Sequence, residues 1–284
     1  MRIFNYHSAP VRALTYSPDG SLLISGSDDG LVIANILAKN DHCKKIAQCL
    51  DQVRGLALTP SGSKVVLACW KKFEKKITSR AVPRLKTRAE SGWSVATAPD
   101  EGLFAIGMGD GTIHFHRTNR VIEQREHHAP VVSLAFNSVG GQLFSGSHDH
   151  TVGLWDAQWG RFQNRLYPEQ GWIYSVVLSP DDRILATAGD ARNVKLWDVE
   201  TCSPIKTIGD FDSSMTCLRF HPDGQHLLSG SWDGIVRIHD LDGVCIASYD
   251  WGLGAVLSLA VSPDGMTAAA GGDNSTIVMW DLEW

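Results

Sequence analysis

The 284-residue chain has no run approaching the roughly 20 apolar residues that a membrane-spanning helix needs. Its opening residues, MRIFNYHSAP, lack the apolar core and small-residue cleavage site of a secretory leader, so a cytoplasmic location is expected. The six cysteines (Cys43, Cys49, Cys69, Cys202, Cys217, Cys245) form no C-x-x-C pair, which argues against a disulfide framework or a cysteine zinc site. They read as small reduced core residues. There is no phosphate-binding P-loop, no dinucleotide fingerprint and no nucleophile elbow, so cofactors are not expected. A formal net charge of −5 excludes a generally basic nucleic-acid binder. At 43% hydrophobic residues the chain is too apolar to stay disordered, and no window carries the period of a long amphipathic helix.

What the chain does have is repetition. A turn signal recurs as SPDG (Ser17–Gly20), TPSG, APDEG, NSVGG, SPDD, HPDG and SPDG. Its punctuating residues are Pro18, Pro60, Pro99, Ser138, Pro180, Pro222 and Pro263, spaced by 42, 39, 39, 42, 42 and 41 residues. Before each turn comes an apolar run such as VRALTY (Val11–Tyr16), and after it a second such as HLLSGS (His226–Ser231). A turn built on Asp or Asn then leads to a third run, for example NVKLWD (Asn193–Asp198). Pro, Asp and Gly suit a tight type I turn, and the runs have the period of strands. Short strands in units of about 41 residues cannot bury both faces alone, so the units must stack on one another.

The in-phase SGSxD and LWD elements and the preceding His-x-x-x-Val resemble the WD-repeat β-propeller family, over essentially the whole chain. The resemblance implies an all-β fold: a seven-bladed β-propeller of four-stranded antiparallel blades around a narrow channel, one domain over residues 1–284. It also implies that the N-terminal strand, Met1–Tyr6, closes the ring as the outer strand of the last blade. Closure would remove two free sheet edges.

The family's blades are often held by a His–Ser/Thr–Asp–Trp tetrad. The fourth unit carries it complete as His127, Ser145, Asp149 and Trp155. The first keeps His7, Ser25 and Asp29 but has Asn35 at the Trp position, and the sixth keeps Ser229 and Asp233 with His239 there. The second keeps nothing, with Lys71 and Ile77 at the Asp and Trp positions. Blade four is therefore expected to be the most rigid and blade two the most irregular. A Ser, a His and an Asp invite comparison with a hydrolase triad, but their recurrence in several units makes them structural. His114 and His116, and His148 and His150, are pairs only, where zinc usually takes three or four ligands, so no metal site is expected.

In the family, partners commonly dock on the face carrying the turns between second and third strands. Reading fixed offsets from the punctuating residue puts Trp172, Arg12, Arg54, Trp93, Tyr174, Trp70 and Trp232 there, residue types that dominate binding interfaces. The expectation is a non-catalytic scaffold binding a peptide or protein partner on this aromatic- and arginine-bearing face, with a basic side chain suiting the Trp rings. The ring would be monomeric, alone or within a larger assembly. The run Lys64–Arg88 carries nine Lys or Arg and one acid, against a net −13 elsewhere. It stands as the alternative: a surface for nucleic acid or an acidic partner, or a charged edge that deters strand pairing. An enzyme with a channel site is the remote third reading.

Overall fold

The alternation of each unit folds as its period dictates. In unit four the strands Val131–Phe136, Gln142–Ser147, Val152–Asp156 and Arg161–Leu166 pair antiparallel in chain order. The computed structural model describes residues 1–37, 42–70, 86–118, 120–168, 171–209 and 211–283, the strand at 86–91 through its backbone alone. The recurring turn chemistry is visible in unit one. Gly20 sits at φ +69° and its N–H bonds to the Ser17 carbonyl at 2.8 Å, while the Ser17 hydroxyl donates to Asp19 and accepts from the Leu22 N–H. At the next turn Asp29 accepts from the Leu31 N–H at 2.8 Å, so the acid at this offset closes the hairpin between second and third strands.

The expected seven four-stranded antiparallel blades are not what forms. Among the described residues, six four-stranded antiparallel blades are arranged in a ring. Unit two contributes a three-stranded sheet in which Val53–Leu58 pairs antiparallel with Lys64–Cys69, but Lys86–Ser91 runs parallel to Lys64–Cys69. Unit two is also the unit whose sequence keeps none of the tetrad. Residues 71–85, most of the basic run Lys64–Arg88, lie outside the described residues.

The apolar core lies between units, because each sheet has two faces to cover. One cluster joins Ile24, Val32 and Ala34 of unit one to Val53, Leu56, Val65 and Leu67 of unit two; another joins Leu228 and Ile238 of unit six to Val256, Leu259 and Trp280 of unit seven. Close approach explains the SGS glycines. A Cβ on Gly26 would come within 2.6 Å of Val53 Cγ1, and one on Gly271 within 2.8 Å of Val11 Cγ1. Serine hydroxyls stitch the inner strands across the same boundaries, as Ser94 does to the Val131 carbonyl at 2.7 Å and Ser258 to the Val11 carbonyl at 2.9 Å. The N-terminal strand Arg2–Phe4 pairs antiparallel with Ile277–Asp281, register Phe4 against Ile277, and so closes the ring. Phe4 is buried against Ala269, Ile277 and Met279.

Candidate functional site

Most inner strands carry a bulge near the start. Val11 pairs with Ser27 and Ala13 with Gly26, leaving Arg12 as the extra residue. The same irregularity leaves Arg54, Val132, Tyr174, Thr216 and Leu257 extra in their strands. A bulge interrupts strict alternation and re-aims one side chain. Here the bulged residues, with Trp93 just before its own strand, line a pocket of about 190 Å³ together with His148 and Trp232. They also line a larger channel of about 760 Å³. A repeated backbone bond fixes the neighbouring turn beside them: the N–H groups of Asp28, Trp70, His148, Asp190, Trp232 and Asp273 bond to the carbonyls of Pro10, Gln52, Pro130, Trp172, Ser214 and Ala255.

Of the seven nominated residues, Arg12, Arg54, Trp93, Tyr174 and Trp232 line this pocket, and Trp70 and Trp172 adjoin it through contacts with Arg54, Trp93 and His148. The Arg54 guanidinium lies 4.5 Å from the centre of the Trp70 ring and 4.9 Å from that of Trp93, and these rings are 4.6 Å apart. Over these two rings the chain itself supplies a cation. Trp93 meets His148 edge-on at 5.9 Å, and His148 stacks on Trp172 at 4.7 Å with an 11° tilt. Tyr174 closes the series, edge-on to His148 at 5.7 Å. Trp232 is half exposed on its own turn. Arg12 is tied to Asp28 by Nε at 2.8 Å from each carboxylate oxygen.

Electrostatics distinguish the two arginines. Arg12 is neutralised by Asp28, whereas Arg54 donates to the Gln52 carbonyl oxygen of its side chain at 2.6 Å and has no carboxylate partner among the described residues. Its buried Nε has no hydrogen-bond partner. Burial and the nearby Arg12 cation lower the Arg54 pKa. Burial likewise lowers the His148 pKa, so the ring stacked on Trp172 is neutral near pH 7. Burial and the Asp190 carboxylate push the Tyr174 phenol well above its usual range. Deeper in the channel lies Arg219, bonded to the Leu218 carbonyl at 2.9 Å. Among the described residues lining the channel, the charged ones are Arg12, Arg54 and Arg219, with no carboxylate.

Arg219 escaped the sequence reading, and His148 was placed on this face but not nominated. His148 shares the offset of Trp70 and Trp232 in the repeat, so its place on the face was legible, but its role as the ring joining Trp93 to Trp172 was not. Arg219 interrupts an apolar inner strand, MTCLRF, and that interruption was the available signal.

The tetrad of unit four lies apart from the mouth pocket. Trp155 Nε1 donates to Ser145 Oγ at 2.8 Å, the hydroxyl and His127 Nε2 are 2.7 Å apart, and His127 Nδ1 is 2.8 Å from Asp149. The directions are consistent from indole to hydroxyl to imidazole to carboxylate. Burial pushes the Asp149 pKa up, but His127, Thr151 and the His128 N–H outweigh it and hold it well below the carboxylate range. Unit one repeats two of these contacts through His7, Ser25 and Asp29, while the Asn35 side-chain oxygen is buried without a partner. His116, at the Trp position of unit three, stacks on Phe104 at 4.5 Å.

A family model described as "WD domain, G-beta repeat" matches residues 1–33, 119–156, 160–198, 202–240 and 243–281, more than half of the chain. The chain belongs to the WD-repeat family. The WD-repeat matches skip the region of units two and three, where the irregular sheet lies. Relatives include telomerase protein component 1 of Rattus norvegicus, 32% identical over 196 residues, which is 68% of this chain but 7% of that protein. WD repeat-containing protein SL1-17 of Schistosoma mansoni is 30% identical over 179 residues, 62% of this chain and 60% of its own. Target of rapamycin complex subunit wat1 of Schizosaccharomyces pombe is 29% identical over 143 residues, 49% of this chain and 45% of its own. The chain thus spans less than two-thirds of the length of each of these relatives. Among the described residues, no helix is long and apolar enough to cross a membrane.

Proposed function

We propose that the chain is a non-catalytic protein-interaction scaffold that takes an acidic segment of a protein partner at the arginine-bearing channel mouth. The general role is supported by relatives whose names make them a component of telomerase or a subunit of a complex. The observation that carries the finer reading is Arg54: a guanidinium packed against two indoles that also touch each other, with no carboxylate partner among the described residues. A guanidinium fixed in this way has lost little further entropy to a ligand and presents a planar fork suited to a carboxylate. Arg12, already paired with Asp28, does not compete for the ligand. Trp93, Trp172 and Trp232 supply apolar area beside the charge, the combination found at binding hot spots.

The test is a fluorescence titration with two labelled peptides of equal length and aromatic content, one bearing Asp and Glu and the other Lys at the same positions. The acidic peptide should bind at least about tenfold tighter, and Arg54→Gln should remove that preference. Equal binding of the two peptides, or an undiminished preference in Arg54→Gln, would show the reading to be wrong.

A further inference from the structure

The hairpin turn between the first and second strands is built alike in several units. Ser17, Ser179 and Ser262 each donate a hydroxyl hydrogen bond to the turn acid two residues on, at 2.5, 2.6 and 2.6 Å to Asp19, Asp181 and Asp264. The N–H five residues after each serine, of Leu22, Ile184 and Thr267, donates to that same hydroxyl at 2.9 Å. Unit six departs from this at both positions: the serine is replaced by His221 and the fifth residue after it is His226, with Asp223 as the turn acid. The Nδ1 atoms of both rings converge on Asp223 Oδ2, at 2.9 Å from His221 and 2.6 Å from His226. The three donor atoms lie within 4.8 Å of one another, the one such group of three among the described residues.

The proton positions of His221 follow from its neighbours. Its Nε2 is 2.9 Å from the Gly265 carbonyl, which can only accept, so Nε2 carries the hydrogen. Its Nδ1 accepts the Asp223 N–H at 3.2 Å and is therefore the lone-pair nitrogen. Asp223 Oδ2 lies 2.9 Å from the same nitrogen, a contact that a cation between the two atoms, proton or metal, makes favourable. Donors bound at about 2.1 Å to one tetrahedral ion stand roughly 3.4 Å apart, so an ion would draw the two rings slightly away from Asp223 Oδ2. An imidazole whose other nitrogen donates to a backbone carbonyl is also the usual outer support of a metal ligand. Gly265 provides that support from the adjacent unit, and a Cβ there would meet His221 Nε2 at 2.7 Å.

We propose that His221, Asp223 and His226 form a binding site for a divalent transition-metal ion, zinc or cobalt by ligand type. Two imidazoles and one carboxylate provide three ligands and leave the remaining positions to water or an external group. The site lies on the turn between first and second strands, whereas Trp232, on the turn between second and third strands of the same unit, faces the channel mouth. It is therefore independent of the peptide reading. A bound ion would link the turn of unit six to unit seven through the His221–Gly265 bond.

The experiment uses the full chain, stripped with chelator and titrated with cobalt chloride, followed by its visible absorption and by calorimetry, then displaced with zinc chloride. One ion per chain is expected, with a zinc-dependent rise in melting temperature. His226→Gln and His221→Asn should each weaken cobalt binding at least about tenfold. His150→Gln should leave it unchanged. His226→Gln retains the backbone bond from residue 226 to Asp223, so its metal-free melting temperature checks that the fold persists. No cobalt signal from the wild-type chain would mean that a proton alone bridges the pair, and would overturn the proposal. Equal binding by wild type and both folded variants would place the ion elsewhere and overturn it as well.

Discussion

The Arg54 guanidinium carbon stands 4.5 Å from the centre of the Trp70 ring, which brings the bulged residue of one strand over the turn that ends the next. Trp93 flanks the same group at 4.9 Å. Cation and ring orient each other, so removing either should loosen the other. Arg54→Lys keeps the charge but loses the planar fork, and is expected to weaken acidic-peptide binding about tenfold with little change in melting temperature. Trp70→Ala should do the same by freeing Arg54. Fluorescence titration alongside thermal melts checks both.

Two buried tryptophans at one repeat position should respond differently to the same substitution. Trp155 Nε1 donates to Ser145, while Trp280 Nε1 is buried with no partner. Trp155→Phe breaks a buried hydrogen bond and is expected to cost about 1–3 kcal/mol beyond the change in packing. Trp280→Phe removes an unsatisfied donor and should cost measurably less, since its contacts with Trp251 and Tyr249 are largely retained. Urea unfolding of the two variants compares them directly.

The acid limb of stability should depend on Asp149. Its folded pKa lies below the unfolded value, so its contribution is fully present above about pH 4 and is lost as pH falls through the folded value. Asp149→Asn should lower stability at pH 7 and flatten the decline below pH 4. Tyr16 works in the opposite direction. Burial pushes its pKa up to about 12, partly offset by the Thr267 hydrogen bond. Its contribution is present below about pH 10 and lost as pH rises towards 12, so Tyr16→Phe should flatten the alkaline limb. Melting curves across pH separate the two effects.

Closure by the N-terminal strand rests on few residues. Phe4 is 3% exposed and pairs with Ile277. Phe4→Ala is expected to cost about 3–5 kcal/mol. Deleting residues 1–6 should lower the melting temperature further and promote aggregation, because the edge of Ile277–Asp281 is then unpaired. An unchanged melting temperature in the deletion variant would show that the strand does not close the ring.

The turn signal and its spacing made the repeat legible, because Pro, Asp and Gly act through local geometry that needs no distant partner. The tetrad His127–Ser145–Asp149–Trp155 was legible for the same reason: each unit repeats its offsets, and only the fourth fills them all. The mouth residues could be placed by offset, but their arrangement could not. That Arg54 would lie over Trp70 and Trp93, and His148 on Trp172, depends on rotamers chosen against neighbouring units. The number of four-stranded blades was misread because spacing records how often the chain turns, not the direction in which a strand pairs. In unit two the last paired strand, Lys86–Ser91, runs parallel to its neighbour, and nothing in KTRAES distinguishes the two directions.

By itself the sequence determined that this chain is all-β, built of stacked units about 41 residues long, and which offsets in each unit meet the outer turn. These follow from alternation and turn chemistry, both short-range. Only the tertiary structure decided that six units complete a four-stranded blade, that bulges turn Arg12, Arg54 and Tyr174 to the channel mouth, and that His221 and His226 converge on Asp223. Those outcomes depend on contacts between groups on different strands and units, where packing and hydrogen bonding choose among conformations that the local sequence leaves equivalent.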